Sequence, residues 1–418
     1  MSPKVARAWV AVAFWAGLVG DPAATGSETS QRLEAFLTTG RVGEARQAFA
    51  ESVAAQPLDD EARFALGIAQ FLQAVERLGQ GFYRYGLEPP PILAMAMPYL
   101  RLPLPQNPSA EEIAYDDLRG VINQWAKDLR EVERTLGQLS EVDIRLPLRI
   151  GLIRLDWNSD GSAADSESLW QLYVHVNVNA SRIPPQRIET FEIGFDRADA
   201  YWLQGYCHLL SATAEFVLAH DFRDLFERTA HLFFPKAQTP YAFLKHERPS
   251  AGLGSYDEIL DALAWFHLIR CRVVEPERMR SAHSSLLAMI DCSRRMWKAI
   301  AAEGDNENEW IPGERQTSVL PNGRMTAEMI AGWHDFLSEA EALLRGQKLV
   351  PFWRGHGGQG VNLRRVFLEP QTFDLVLWIQ GTAAAPYLSE GPLTSPDTWR
   401  RFEMTFRGQF VGFALWLN

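Results

Sequence analysis

Apolar positions recur at three- and four-residue spacing through most of this chain, the mark of helices that bury one face. Ala114, Leu118, Val121, Trp125, Leu129, Val132, Leu136 and Leu139 keep that spacing and predict one long amphipathic helix, with Ser109 and Glu112 as a capping box ahead of it. From Asp199 to Phe234 the pattern is dense enough to predict a long helix or helix pair buried on most sides. Further helices are expected over Tyr256–Arg272, Pro276–Glu303 and Thr326–Arg345. The last carries Met329, Trp333, Phe336, Ala340 and Leu343 on one face, with Gly346 as its stop.

The period changes in a few places. VDIRLPLRIGLIRLD alternates and is β-branched, so it reads as extended. SLWQLYVHVNVN begins as helix and ends less regularly. The proline-rich but apolar LEPPPILAMAMPYLRLPLPQNPS cannot be continuous helix and reads as an ordered segment crossing the core. Beyond residue 346, KLVPFWR, VNLRRVFLE and FDLVLWIQ read as strands, the first two joined by GHGGQG, and FVGFALWLN closes the chain as a strand or final helix. The expected class is α+β and predominantly α-helical: a helical region over 27–140, a central helical region over 141–345, and a β-rich segment over 346–418 packed on the helices.

Composition adds little to the fold but narrows the function. Hydrophobic residues make up 47% and charged residues 22%, a globular balance with ample large apolar material in 14 Trp and 23 Phe. A net charge of −11 lacks the basic footprint of a nucleic-acid binder. Lys4 and Arg7 precede the apolar run AWVAVAFWAGLVG, and small residues follow in DPAATGS. Residues 1–26 therefore read as a signal peptide, with an uncleaved anchor as the other reading, and the protein is expected to be periplasmic or secreted. No later segment reads as a membrane span. Cys207, Cys271 and Cys292 cannot all pair within one chain; Cys207 and Cys271 fall in apolar helical patterns, and a single Cys271–Cys292 bond stays open.

Two stretches resemble known motifs. In QRLEAFLTTGRVGEARQAFAESVAAQPLDDEARFALG, Gly40 falls at an interhelix turn, Ala45 and Phe49 at small and aromatic packing positions, and Pro57 at a repeat end. Leu66-Gly67 follows one 34-residue period after Arg32-Leu33. This stretch, about residues 30 to 78, resembles the tetratricopeptide repeat. The resemblance implies a helical hairpin that packs on the rest of the chain, because Gly79 and Gly81 interrupt the next second helix and a solenoid needs about three repeats.

LDWNSDGSAADSE places Asp156, Asn158 and Asp160 at alternate positions, then Gly161, with Glu167 at the end. It resembles the EF-hand calcium loop over residues 156–167 only. The resemblance implies a Ca²⁺ held by the Asp156, Asn158 and Asp160 side chains, the Ser162 carbonyl, a water at Ala164 and a bidentate Glu167. Ala163 stands where the family has a bulky aliphatic, RIGLIRL reads as strand where the family has a helix, and no second loop follows. That implies a structural ion in an extracellular module, with an affinity on the order of 10⁻⁴–10⁻³ M. The same residues also spell a polar turn closed by Asx hydrogen bonds, with Glu167 as an early-helix carboxylate.

A second polar constellation sits on the 199–231 segment. His220, Asp224, Glu227 and His231 would share one helix face, and His208 and Glu215 another, beside the small residues Gly205, Ala212 and Ala219. Histidine and carboxylate on one face can bind metal or exchange protons. They can equally be core histidines with hydrogen-bond partners, and the small-residue stripe fits close helix packing. GHGGQG lacks the Lys-Ser/Thr of a phosphate loop, and no nucleophile motif appears. Two functions follow as expectations. One is an exported, non-enzymatic scaffold or binding protein with one structural Ca²⁺ and a protein or cell-envelope partner. The alternative is an exported hydrolase-like enzyme using His208, Glu215, His220 and His231.

Overall fold

The computed structural model describes residues 27–88, 104–141, 143–171, 191–245, 257–319, 325–354 and 358–405. Expectations for the N-terminal 1–26 segment, the middle of the proline-rich crossing, most of SLWQLYVHVNVN, the start of GHGGQG and the closing FVGFALWLN lie outside these residues.

The first core is built by helices from the N-terminal half. α1 (Glu28–Leu37) and α2 (Val42–Ala55) turn back on each other at Gly40, and α3 (Asp60–Arg84) packs against α2. Ala45 and Phe49 are buried at the α2 side of this contact. α3 runs unbroken through Gly79 and Gly81, against the expected interruption. Gly79 is there for a close approach: a Cβ on it would stand 2.3 Å from the Trp157 indole. α4 (Tyr115–Leu136) packs on α3 and buries Leu129, Val132 and Leu136, as the spacing predicted, and Ala126, which the stripe did not include. Its start differs from the Ser109/Glu112 expectation. Ile113 is held in a bridge to Ala237, and Asp117 accepts from the Ala114 amide at 2.9 Å, so the helix begins after Ala114.

β1 (Arg145–Leu148) pairs antiparallel with β2 (Ile193–Asp196), which leads straight into α5 (Arg197–Ala219). α5 is the hinge between two cores. Its Ala200, Leu203 and Cys207 join the first, while Ala198 and Tyr201 join a second, formed with α8 (Pro276–Ala302), α9 (Ala327–Leu344), Trp310 and Ile311. α5 and α8 pack along each other. The helix does not continue to Phe234. Val274 and Glu275 both donate to the Ala219 carbonyl, and β3 (His220–Asp221) pairs with β4 (Arg270–Val273). Arg119 caps the end of α5 by donating to the Leu218 and His220 carbonyls, a cation where the helix dipole is negative. After β3 the chain forms the short α6 (Arg223–Thr229).

α7 (Asp257–Leu268) stops short of the expected Arg272, because β4 is drawn into the sheet between β3 and β7 (Phe373–Asp374). In the C-terminal part, β5 (Val350–Pro351), β6 (Gln359–Val361) and β8 (Leu388–Glu390) make a small antiparallel sheet. Two expected strands are mostly helix: VNLRRVFLE forms α10 (Leu363–Leu368) and FDLVLWIQ forms α11 (Leu375–Gln380). Caps decide both. Asn362 accepts from the Arg365 amide, Asp374 accepts from Leu377, and Gly381 ends α11 at φ +108°. α12 (Pro396–Thr405) packs on α9. The fold is α+β and predominantly helical, with small antiparallel sheets. No described helix is long and apolar enough to cross a membrane.

Candidate functional site

The 156–167 loop is pinned to the first core on three sides. Its ends are zipped by Leu155 donating to the Glu167 carbonyl and Leu169 donating to the Ile153 carbonyl. Trp157 is fully buried over Gly79, the Asp156 amide donates to Glu76 Oε1 at 2.8 Å, and Gln80 donates to the Asp156 carbonyl. Ala163 packs on Gly40.

Within the loop the short side chains turn inward. Asp156 accepts from the Asp160 and Gly161 amides, Asn158 Oδ1 from Asp160, and Asp160 Oδ1 from Ser162, at 2.8–3.2 Å. Gly161 has φ +85° with open space around it, so backbone conformation and not crowding calls for glycine there. The backbone of Ser159 is left-handed too, at φ +59°. Glu167 is buried, and its two oxygens accept from the Trp157 and Ala164 amides at 3.0 and 2.8 Å. The polar turn closed by Asx hydrogen bonds is thus what the loop forms, with the Asp156, Asn158 and Asp160 side chains along one coil.

The donor set suits a hard divalent cation, being oxygen throughout with three carboxylates. Glu76 is a further, buried carboxylate next to it that the motif did not reveal. Burial pushes its carboxyl up to about 7, and the nearby Asp156 and Glu167 charges push the same way. The only sequence sign of it was an acid on a helix face, and no spacing rule links residue 76 to residue 156. Glu167 would join the ligands only by loosening its hold on the two amides.

A second acidic group was not foreseen. Asp196 caps α5, Glu303 follows α8, and Glu309 lies in the loop beyond; their oxygens lie within 4.8 Å of one another. Among the described residues this trio, and not the 156–167 loop, is the close-set group of acidic ligand atoms. Asp196 and Glu303 share a side-chain hydrogen bond, Gln316 donates to Glu303 at 3.0 Å, and Glu309 accepts from the Glu307 amide. Burial, then the neighbouring carboxylates, raise Glu303 to about 8 and Glu309 to about 7, and lift Asp199 well above the usual range. Asp196 and Glu303 are placed to share a proton, and Glu309 stands within reach of the Asp196 charge. Nothing along the chain connects Asp196 with Glu303, so only the α5–α8 packing could disclose it.

The histidine constellation splits: His208 and Glu215 lie together on α5 and both reach α4, while His220 and His231 lie apart from them. His208 Nδ1 lies 3.3 Å from Glu133 on α4. Glu215 is buried and ion-paired with Arg130 and Arg278. His220 bonds the Phe216 carbonyl at 2.7 Å among Phe216, Phe222 and Phe373, and burial lowers its pKa. His231 lies 4.0 Å from Asp261 on α7, with its pKa lowered by burial. The expected common face of His220, Asp224, Glu227 and His231 does not exist, because β3 interrupts the helix at His220. Cys207, Cys271 and Cys292 are buried free thiols, so no Cys271–Cys292 bond forms. The chain matches no family model, no curated protein and no solved structure.

Proposed function

We propose that this protein is an exported, non-enzymatic helical scaffold or binding protein whose centre is tied by one structural Ca²⁺ in the 156–167 loop. The observation that carries this reading is electrostatic. Asp156, Asn158 and Asp160 turn their oxygens into one coil, while the buried Glu76 and Glu167 stand behind it, and the carboxyl of Glu76 is raised to about 7. A divalent cation is the group that would balance these charges. Ser162 would add its carbonyl, Ala164 a water-mediated contact, and Glu167 the closing carboxylate. The ion would fasten the α1–α2 turn, α3 and the segment entering the loop, which is a 3₁₀ turn (Ile150–Leu152) and a lone bridge at Arg154 where a strand was expected.

The signal-like residues 1–26 support export, where millimolar calcium makes a weak site useful. The partner would be a protein or another component of the cell envelope. His208, Glu215, His220 and His231 each have separate partners, which favours a scaffold over the hydrolase-like alternative.

Titration calorimetry and thermal melting of the full chain test the calcium reading. Calcium should give saturable heat and raise the melting temperature, and chelator should lower it. Asp156→Asn with Asp160→Asn should remove both responses while leaving the fold intact by circular dichroism. A calcium response that persists in the double variant, or none in the parent chain, ends the proposal.

A further inference from the structure

Glu309, Trp310, Ile311 and Pro312 form a buried wedge in the loop that follows α8. Trp310 and Ile311 share a core with Ile193, Tyr201, Trp297 and Ile300. Trp310 stands edge-on to Trp202 of α5 at 5.7 Å between ring centroids, and a Cβ on Gly313 would lie 3.1 Å from Ile300 of α8. The loop, residues 303–319, is zipped to itself. Val319 donates to the Glu309 carbonyl, Ser318 to the Trp310 carbonyl and Gln316 to Glu303, all at 3.0 Å. It is tied to the strands by Gly194, which donates to the Asn308 carbonyl at 3.1 Å, by Arg145 paired with Glu307, and by Glu303 bonded to Asp196. A loop closed on itself in this way can leave as a unit.

Its leading edge is acidic. Asp196, Glu303 and Glu309 bring carboxyl oxygens within 4.8 Å of one another, and the buried Asp199 stands beside them. Carboxylates this close cannot all ionise without a counter-charge. The cation facing Glu309 is Arg145 on β1, already engaged by Glu307. Arg197 at the start of α5 reaches Glu141 at 3.8 Å, and Arg295 of α8 lies over the Tyr201 ring. Asp305 in the loop and Glu192 ahead of β2 add negative charge, and burial raises Glu192 as well. On α9, burial and Arg294 lower the pKa of His334, which is therefore uncharged above its ordinary 6.5. The seated loop thus holds its acids as neutral carboxyls, in keeping with Glu303 raised to about 8 and Glu309 to about 7.

We infer that the 303–319 loop is a strap released by rising pH: protonated, it seats the Glu309–Pro312 wedge between α5 and α8, and ionisation of Glu303 and Glu309 drives the wedge out. Opening uncovers an apolar socket beside Tyr201 and Trp202. Once the strap lifts, both carboxyls return toward the ordinary 4.5, so the closed form binds more protons. Closure is therefore fully favoured below about pH 4.5 and weakens as pH rises through 7 to 8. Within that window the opening constant should grow about tenfold per pH unit for each proton released. The opening is local, and it stands apart from the calcium loop.

Native-state hydrogen exchange of the full chain in chelator tests this. The probe is the Gly194 amide, whose acceptor is the Asn308 carbonyl of the strap, with its rate corrected for intrinsic exchange at each pH. Protection should fall by about tenfold or more between about pH 5.5 and about pH 8. Low urea should change it little, because lifting a strap exposes far less surface than global unfolding. Glu303→Gln with Glu309→Gln should hold protection near its acidic value throughout. Protection in the parent that is flat with pH overturns the inference. So does a loss as steep in urea as global unfolding, which would assign the pH effect to the whole fold. A double variant that keeps its circular dichroism and still loses protection does the same. If that variant fails to fold, the parent's pH and urea series alone decides.

Discussion

Ala163 occupies the space that a side chain on Gly40 would need: a Cβ built at Gly40, where φ is +71°, would lie 2.2 Å from the Ala163 Cβ. This contact joins the α1–α2 turn to the 156–167 loop and explains why the position that is aliphatic and bulky in EF-hand loops is alanine here. The loop's outer partner is a helix turn, not a second loop.

Enlarging either side of that contact should therefore loosen the N-terminal helices. Ala163→Leu, the residue type of paired calcium loops, is expected to cost roughly 1–3 kcal/mol through overpacking. Gly40→Ala should cost at least as much, since it adds a left-handed alanine to the clash. Urea midpoints of the two variants check this; a stability equal to the parent would mean that the turn and the loop do not touch.

Glu76 should report the charge balance at the loop. Its Oε1 holds the Asp156 amide, and its carboxyl is raised to about 7 by burial and by Asp156 and Glu167. Glu76→Gln removes one of the negative charges that a cation would satisfy, so calcium binding should weaken by about tenfold, equivalent to ~1.4 kcal/mol. In chelator the same variant should be more stable than the parent at alkaline pH. Calorimetry and melting in chelator give both readings, and stronger calcium binding by the variant would contradict the account.

The Asp196–Glu303–Glu309 cluster should give stability a downward slope with rising pH. Glu303 and Glu309 have folded pKa values raised from 4.5 to about 8 and about 7. The folded state holds these protons over a range in which the unfolded chain has already lost them. Their contribution is thus fully present below about pH 4.5 and fades as pH rises through 7 to 8. Glu303→Gln keeps a hydrogen-bond donor toward Asp196 without the charge, and should flatten the decline. Denaturant midpoints between about pH 5 and about pH 8 measure it; a parent protein whose stability rises across that range would show that the cluster does not share protons.

Arg278 holds α4, α5 and α8 together through Asn123, Glu215 and Glu275, at 3.1, 3.0 and 2.6 Å. Arg278→Met leaves the buried Glu215 with Arg130 as its ion-pair partner. The expected loss is about 3 kcal/mol, the scale for unbalancing a buried charge. Adding Glu215→Gln should restore part of it, as a double-mutant cycle would show. Additive losses would mean that the two side chains are energetically independent.

What the sequence determined by itself was local. Periodicity located α8 and α9 nearly to their ends and the body of α4, because one buried stripe on a helix repeats along the chain whatever it packs against. The loop was legible for a similar reason: Asp156, Asn158, Asp160 and Gly161 build their turns from residues a few positions apart. Cap chemistry was also present at Asn362, Asp374 and Gly381, where an apolar β-branched run outweighed it and suggested strands.

Only the tertiary structure decided the rest. α5 ends at Ala219 because β4, some fifty residues later, pairs with His220 while Val274 and Glu275 just beyond it capture the Ala219 carbonyl. That break scatters the histidines which a continuous helix would have aligned. Asp196 meets Glu303, and Glu76 meets Asp156, through helix packing that no residue spacing encodes. Leu260 and Leu263 of α7, each more than half exposed, carry the same lesson. A helix pattern shows that one face is apolar, but which face meets water depends on what lies on each side. Local hydrogen bonds are written in neighbouring residues, whereas desolvation and charge proximity exist only once distant segments come together.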